Sequence, residues 1–195
     1  VGVNRYNLGT MAGEMALKAS GAGRHVALIL PDSNDDGEIQ YKNLIVQGVL
    51  ESFSKSNASP QLDQILTVHA KSFESEKILP ALMEDDPEVD QILCMEESIT
   101  PGIAQSLVDN NQVGRIQLIG YGLTPQTVDY IRKGVIYGTV CPDAYEIGYE
   151  SVRQLYRSLE GQQISDSIST DLYTLKREDL KDWKEPVPRK EGENP

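Results

Sequence analysis

Residues 25–30 read His-Val-Ala-Leu-Ile-Leu, a short and nearly unbroken apolar run. A run of this kind fits a strand buried on both faces, which is found almost only in parallel sheets covered by helices on each side. The unit around it repeats. A polar loop at 31–37 opens a helical pattern over 38–55, with Ile45, Val46, Val49 and Phe53 at helical spacing. Further strands are expected at 63–70, 89–95, 115–121 and 135–141, alternating with helices at 75–84, 100–110, 125–133 and 144–159. Pro80 should kink the first of these helices or delay its start. Pro101 suits a first turn, Thr124 suits an N-cap, and Gly161 suits a stop.

Before the first buried run, a short strand at 1–4 leads into a helix at 8–19. Asn7 is the expected cap, and Met11, Met15 and Ala16 form its apolar stripe. Gly21-Ala22-Gly23 breaks that helix, and a last strand is expected at 170–176. Strands alternating with amphipathic helices at this spacing predict an α/β fold, an open parallel sheet with helices on both faces and right-handed crossovers. Residues 184–195 are charged and proline-rich, the composition of a disordered tail.

The composition excludes several classes. With 39% hydrophobic and 25% charged residues the chain is an ordinary globular one, and no stretch reaches the roughly 18 apolar residues of a membrane span. A formal net charge of −12 argues against nucleic acid as a partner, because phosphate binding needs clustered Lys and Arg. Val1–Leu8 carries no basic-then-apolar leader, and the chain opens inside a strand pattern, so it reads as a fragment or a processed product. Two cysteines are too few for a disulfide scaffold and lack metal-ligand spacing.

A search for catalysis finds little. There is no phosphate-cradling loop, since the Gly-x-Gly at Gly21–Gly23 precedes a strand instead of following one. Ser33 follows a strand but lacks the flanking glycines of a nucleophile elbow. Of the two histidines, His25 begins its strand at the wrong end of the sheet, and His69 has no partners that specify a base. No enzyme activity, catalytic residue, metal site or cofactor is therefore expected.

In open parallel sheets, ligands bind outside the carboxyl ends of the strands. The residues placed there are Asp32 to Asp36, then His69 and Lys71, then Glu96 and Glu97, then Tyr121, then Cys141 and Asp143. Each carboxylate taken singly could equally be a helix cap, Asp35 or Asp36 before Glu38 and Asp143 before Ala144. As a set they make a polar rim, and Asp32, Asn34, Glu96, Tyr121 and Asp143 are the candidate ligand-binding residues.

Several segments resemble the type I periplasmic binding proteins and the effector domains of lactose-repressor-type regulators. Val3-Asn4-Arg5-Tyr6-Asn7-Leu8-Gly9 resembles the entry into the family's second lobe. Ile92-Leu93-Cys94-Met95-Glu96-Glu97 lies where a strand commonly ends in Asn-Asp. Ile119-Gly120-Tyr121-Gly122-Leu123-Thr124-Pro125 resembles "V-G-F-D-x-T-P", and Gly134–Val140 resembles "G-x-x-x-A-T-V". Tyr145-Glu146-Ile147-Gly148 and 172–180 resemble the helix and final strand that end sugar-binding members. The match runs in order from Val1 to Trp183.

The resemblance implies a lobe with strand order 2-1-3-4-5 and a division into a ligand-binding lobe at 1–141, a crossing helix at 142–163, a return segment with the last strand at 164–183, and a tail at 184–195. It implies that the N-terminal lobe is missing and that the crossing helix packs on it. It also implies an extracytoplasmic binding protein for a small polar solute, a sugar or a relative, serving a membrane permease of an ABC importer or a sensor kinase. The alternative is the effector domain of a repressor, which would be cytoplasmic. Three positions depart from the family: Gly122 replaces the Asp of "F-D", Asn43 or Ile45 stands where an Arg commonly reaches the ligand, and Glu96-Glu97 replaces Asn-Asp. Glu96 or Asp32 is then expected to supply the main carboxylate.

Two further expectations follow from the resemblance, one from the implied strand order and one from the missing lobe. Cys94 and Cys141 end strands on either side of the 117–121 strand. Two steps of about 4.8 Å put their Cα atoms near 10 Å apart, beyond the roughly 7 Å limit for a bridge. In the crossing helix, Ile147, Val152, Leu155, Tyr156 and Leu159 form an apolar stripe that lacks its partner, so this chain is expected to self-associate.

Overall fold

In the computed structural model, which describes residues 1–19, 25–32, 36–56, 60–68 and 75–181, the buried run becomes an interior strand of a six-stranded sheet, second from one edge. The elements in chain order are β1 (Gly2–Val3), α1 (Arg5–Lys18), β2 (His25–Pro31), α2 (Asp36–Ser54), β3 (Gln61–Val68), α3 (Ser75–Asp85) and β4 (Gln91–Cys94). They continue with α4 (Thr100–Asp109), β5 (Gln117–Tyr121), α5 (Pro125–Lys133), β6 (Ile136–Pro142), α6 (Ala144–Leu159), β7 (Ser169–Thr170) and β8 (Leu172–Lys176). The sheet order is β3-β2-β4-β5-β6-β8. Counted from β2, its five parallel strands have the expected order 2-1-3-4-5. The sixth, β8, is added antiparallel along β6.

Alternate residues of β2 enter two cores. Val26, Leu28 and Leu30 pack with Leu8, Ala12 and Met15 of α1 and with Ile45, Val49 and Phe53 of α2. Ala27 and Ile29 pack on the opposite face with Leu79 and Leu82 of α3, Ile103 and Leu107 of α4, and Val128 and Ile131 of α5. Full burial of each large apolar side chain is worth about 1.5–3 kcal/mol, so β2 anchors both layers. Strand β3 lies at the sheet edge and alternates exposed with half-buried residues, as an edge strand does.

The first layer is closed by glycine. A Cβ at Gly48 of α2 would sit 2.7 Å from the Thr10 backbone nitrogen, and one at Gly9 of α1 would sit 2.9 Å from the Ile45 carbonyl carbon. The two helix backbones therefore approach more closely than any side chain at these positions allows. In the second layer, α3 accommodates Pro80 in its interior. Pro80 has no N–H for the carbonyl one turn earlier, that of Glu76. The buried Ser106 hydroxyl of α4 donates to that carbonyl at 3.3 Å, so the helix starts at Ser75 as expected and its orphaned acceptor is satisfied from a neighbour.

Two local expectations are corrected, the cap of α1 and the continuity of the last strand, and the opening strand finds a partner. Helix α1 starts at Arg5, and its cap is Asn4, whose Oδ1 accepts from the Asn7 N–H at 3.0 Å; Asn7 is inside the helix. The opening strand does not join the main sheet, because β1 pairs in parallel with β7 as a separate two-stranded ribbon. The expected 170–176 strand is broken at Asp171, whose carbonyl accepts from the Asp143 N–H at 3.1 Å. The start of the chain, the β6–α6 junction and the β7–β8 junction thus converge at one place. Gly21–Gly23, Ser33 to Asp35, His69, Lys71 and the stretch from Asp182 onward lie outside the described residues, and the tail expected at 184–195 is among them.

Helix α6 has the bounds expected of it, held by Asp143 at its start and stopped near Gly161, whose φ is +68°. Its apolar face is bare: Leu159 is 78% exposed, Val152 68%, Leu155 62% and Tyr156 61%. Ile147 is half-buried, and Glu150 is the one buried residue of the helix. No described helix is long and apolar enough to cross a membrane.

Candidate functional site

The chain leaves β2 toward β3 on one side and returns to β4 on the other, so the strand order reverses between β2 and β4. That switch point, at the carboxyl ends, is where an open parallel sheet forms a crevice. Asp32 follows β2 there. Its N–H donates to the Val68 carbonyl at 2.6 Å, and its carboxylate takes Lys42 Nζ at 3.4 Å. Asn34 lies outside the described residues.

Across the switch point, the Met95 N–H donates to the Ile29 carbonyl at 2.8 Å and carries β4 onward to Glu96. The Glu96 carboxylate folds back on its own turn: Oε1 accepts from the Ser98 N–H at 3.2 Å and the Ser98 hydroxyl at 2.8 Å. Its backbone carbonyl accepts from the Thr100 hydroxyl at 2.9 Å, which seats the start of α4.

Glu97 behaves differently. Its Oε1 crosses to the next strand end and accepts from the Leu123 N–H at 2.7 Å. The crossing is possible because residue 122 is glycine. A Cβ there would stand 2.5 Å from both Cγ and Cδ of Glu97, and Gly122 has a φ of +79° that a side chain would strain. The neighbour of this pair is Tyr121, the half-buried last residue of β5. Burial pushes the Tyr121 phenol above its usual range; Arg5 pulls it back, while Glu97 and Glu96 push it up further. The phenol is therefore neutral at physiological pH, able to donate and to accept.

Arg5 and Glu97 also act electrostatically on Tyr121 and stand outside the five candidates. Arg5 sits at the first position of α1 and reaches the Tyr121 neighbourhood only because the chain start and the strand ends converge. The sequence signal for Glu97 is the Glu96-Glu97 pair itself, at the end of β4.

Asp143 caps α6, its Oδ1 accepting from the Glu146 N–H at 2.9 Å. Both cysteines lie beneath the rim as free, buried thiols. Burial pushes Cys94 up to about 11 and Cys141 up to about 12, so neither is a nucleophile at neutral pH. At the opposite end of the sheet, His25 Nδ1 meets Asp63 at 2.9 Å and Nε2 meets Glu88 at 3.3 Å. With Asp86 they form a group whose ligand-type atoms of His25, Asp63 and Asp86 lie within 4.8 Å of one another, far from the rim in the fold.

Comparison with known proteins agrees with this architecture. The chain is similar to a glucose-galactose binding protein, GanP, from Geobacillus stearothermophilus, with a TM-score of 0.80 at 20% identity over 91% of this chain and 62% of that one. It is similar to a carbohydrate transporter solute binding protein from Agrobacterium radiobacter in complex with D-arabinose, with a TM-score of 0.81 at 15% identity over 92% and 61%. It is also similar to a chain of the XylFII–LytSN complex, with a TM-score of 0.78 at 21% identity over 91% and 61%. The chain thus spans less than two thirds of the length of each. No curated protein sequence matches it. A family model described as the periplasmic binding protein domain covers residues 1–163, and the chain belongs to that family.

Proposed function

We propose that this chain is the C-terminal lobe of an extracytoplasmic binding protein whose two lobes close by hinge motion on a small neutral polyol of the sugar class. The observation that carries the reading is the polar rim at the switch point. There Asp32, Glu96 and Tyr121 stand at the ends of β2, β4 and β5, beside Arg5 and Glu97. Asp143 extends the rim at the β6–α6 junction. Carboxylates that accept from hydroxyls and a neutral phenol suit a sugar, whereas an anionic solute would meet an acidic surface on a chain of charge −12. The sugars named for the similar structures support the same class.

The family is extracytoplasmic. Delivery to the permease of an ABC importer is the output favoured by the transporter protein among the similar structures. A membrane sensor kinase is the second output, favoured by a similar chain that is held in a complex with a second protein. In both cases the N-terminal lobe would cover α6. Calorimetry on the intact two-lobed protein with D-arabinose, D-allose, D-glucose and D-galactose tests the reading. Binding of at least one is expected, and heat from none of them, with a folded protein, would overturn it.

A further inference from the structure

We infer that Glu97, held over Gly122, is the ligand-facing carboxylate of the rim, and that position 122 is glycine in order to admit it. This rests on the binding reading above and names the residue that sets its specificity. Four acidic side chains stand at the described rim, and three are committed elsewhere. Glu96 closes its own turn through Ser98, Asp143 caps α6, and Asp32 faces Lys42. Glu97 alone spans two strand ends.

Its stem fills the space that a Cβ at residue 122 would need, 2.5 Å from Cγ and Cδ. One oxygen is fixed by the Leu123 N–H at 2.7 Å. Among the described residues, Oε2 takes no hydrogen bond and remains for a donor from outside. A carboxylate fixed at one oxygen and packed along its stem has already lost its rotamer freedom, so binding through the other costs little ordering entropy.

The surroundings define what that donor can be. Tyr121 is neutral, and Arg5 lies close enough to lower its pKa while Glu96 and Glu97 raise it. A hydroxyl-rich neutral ring can donate to Glu97 while accepting from the phenol or the guanidinium. A carboxylate or phosphate in the same place would face two glutamates. Positions 97 and 122 form one element: Glu at 97 in this pose excludes any side chain at 122.

The test has two arms. In the first, E97Q and E96Q are made in the intact protein and titrated with D-arabinose, D-allose, D-glucose and D-galactose. E97Q keeps an amide oxygen for the Leu123 N–H but loses the charge. It is expected to weaken the bound sugar about 10–100-fold with little change in Tm, and E96Q to weaken it less. E97Q binding as tightly as wild type, or E96Q losing more than E97Q, would overturn the assignment. In the second, thermal unfolding compares Gly122→Ala in the wild-type and E97A backgrounds. The Tm loss is expected to be smaller in E97A, because the clash has gone and only the strained φ remains; equal losses would overturn the geometry. If none of the four sugars binds wild type, the binding reading fails, while the second arm still decides whether Glu97 occupies the place of a residue-122 side chain.

Discussion

Helices α2 and α6 carry the same kind of apolar stripe and differ in what meets it. Ile45, Val49 and Phe53 of α2 are buried against α1 and the sheet, while Val152, Leu155, Tyr156 and Leu159 of α6 face outward. Amphipathic spacing states that a helix has a face to cover, but not what covers it. For α2 the cover is built into the chain, prepared by Gly9 and Gly48 at the crossing with α1. For α6, none of the described residues supplies one.

The contrast breaks most visibly at Gly48. Gly48→Ala puts a methyl group 2.7 Å from the Thr10 nitrogen, and separating α1 from α2 should cost about 3 kcal/mol or more. Denaturant unfolding that gave a loss below about 0.5 kcal/mol, the range of a neutral surface change, would mean that the helices do not approach as described. The other half of the contrast is sharpened on α6. Its bare stripe amounts to a few hundred Å², worth several kcal/mol at about 25 cal/mol per Å² before ordering costs. This chain should therefore self-associate in sedimentation experiments, and L155E/L159E should leave it monomeric with stability within about 0.5 kcal/mol. A wild-type chain that stayed monomeric at every concentration would end the idea.

A smaller effect tests whether the second layer is as self-sufficient as the first. Ser106→Ala removes the hydroxyl donor to the Glu76 carbonyl and should cost about 1–2 kcal/mol. The loss should shrink in a Pro80→Ala background, where residue 80 regains its N–H; an undiminished loss would assign it to the Asn110 Nδ2 bond that the same hydroxyl accepts at 3.3 Å. A further effect, seen only at alkaline pH, comes from the thiols. Folding raises Cys94 to about 11 and Cys141 to about 12 from an ordinary 9.0, so the folded state holds their protons more tightly. Their contribution is intact below pH 9 and is lost as pH rises toward 11–12. Unfolding midpoints followed from pH 8 to 11 should fall less steeply in a C94A/C141A variant than in wild type, once each is normalised to its own value at pH 8.

What could be read in the sequence was whatever local chemistry determines. The bounds of α6 follow from Asp143 and Gly161, and those of α5 from Thr124, Pro125 and Gly134. The order of the parallel strands followed from the family resemblance, and the double burial of β2 from its composition. Asn4 and Asn7 are equally good caps by type, and only the path of the chain through β1 decides between them. The partner of β1 lies at Ser169–Thr170, and nothing in a two-residue strand announces so distant a pairing. The sequence places Glu97 at the rim beside Glu96 but does not show its reach to the next strand end, for a related reason. Its role depends on the ends of β4 and β5 being neighbours and on the absence of one Cβ, facts that appear only when two separated segments are brought side by side.

The antiparallel strand β8 also bears on synthesis. The edge of β6 that β8 covers is complete at Pro142, but its cover begins at Leu172, after α6 and β7 have been made. On the ribosome, the parallel part of the sheet can assemble while one row of backbone donors and acceptors is still unpaired. An open row of that kind is a template for pairing with another nascent chain. A stop anywhere between those two positions would leave it open permanently, so truncations there should yield aggregates instead of a smaller folded unit.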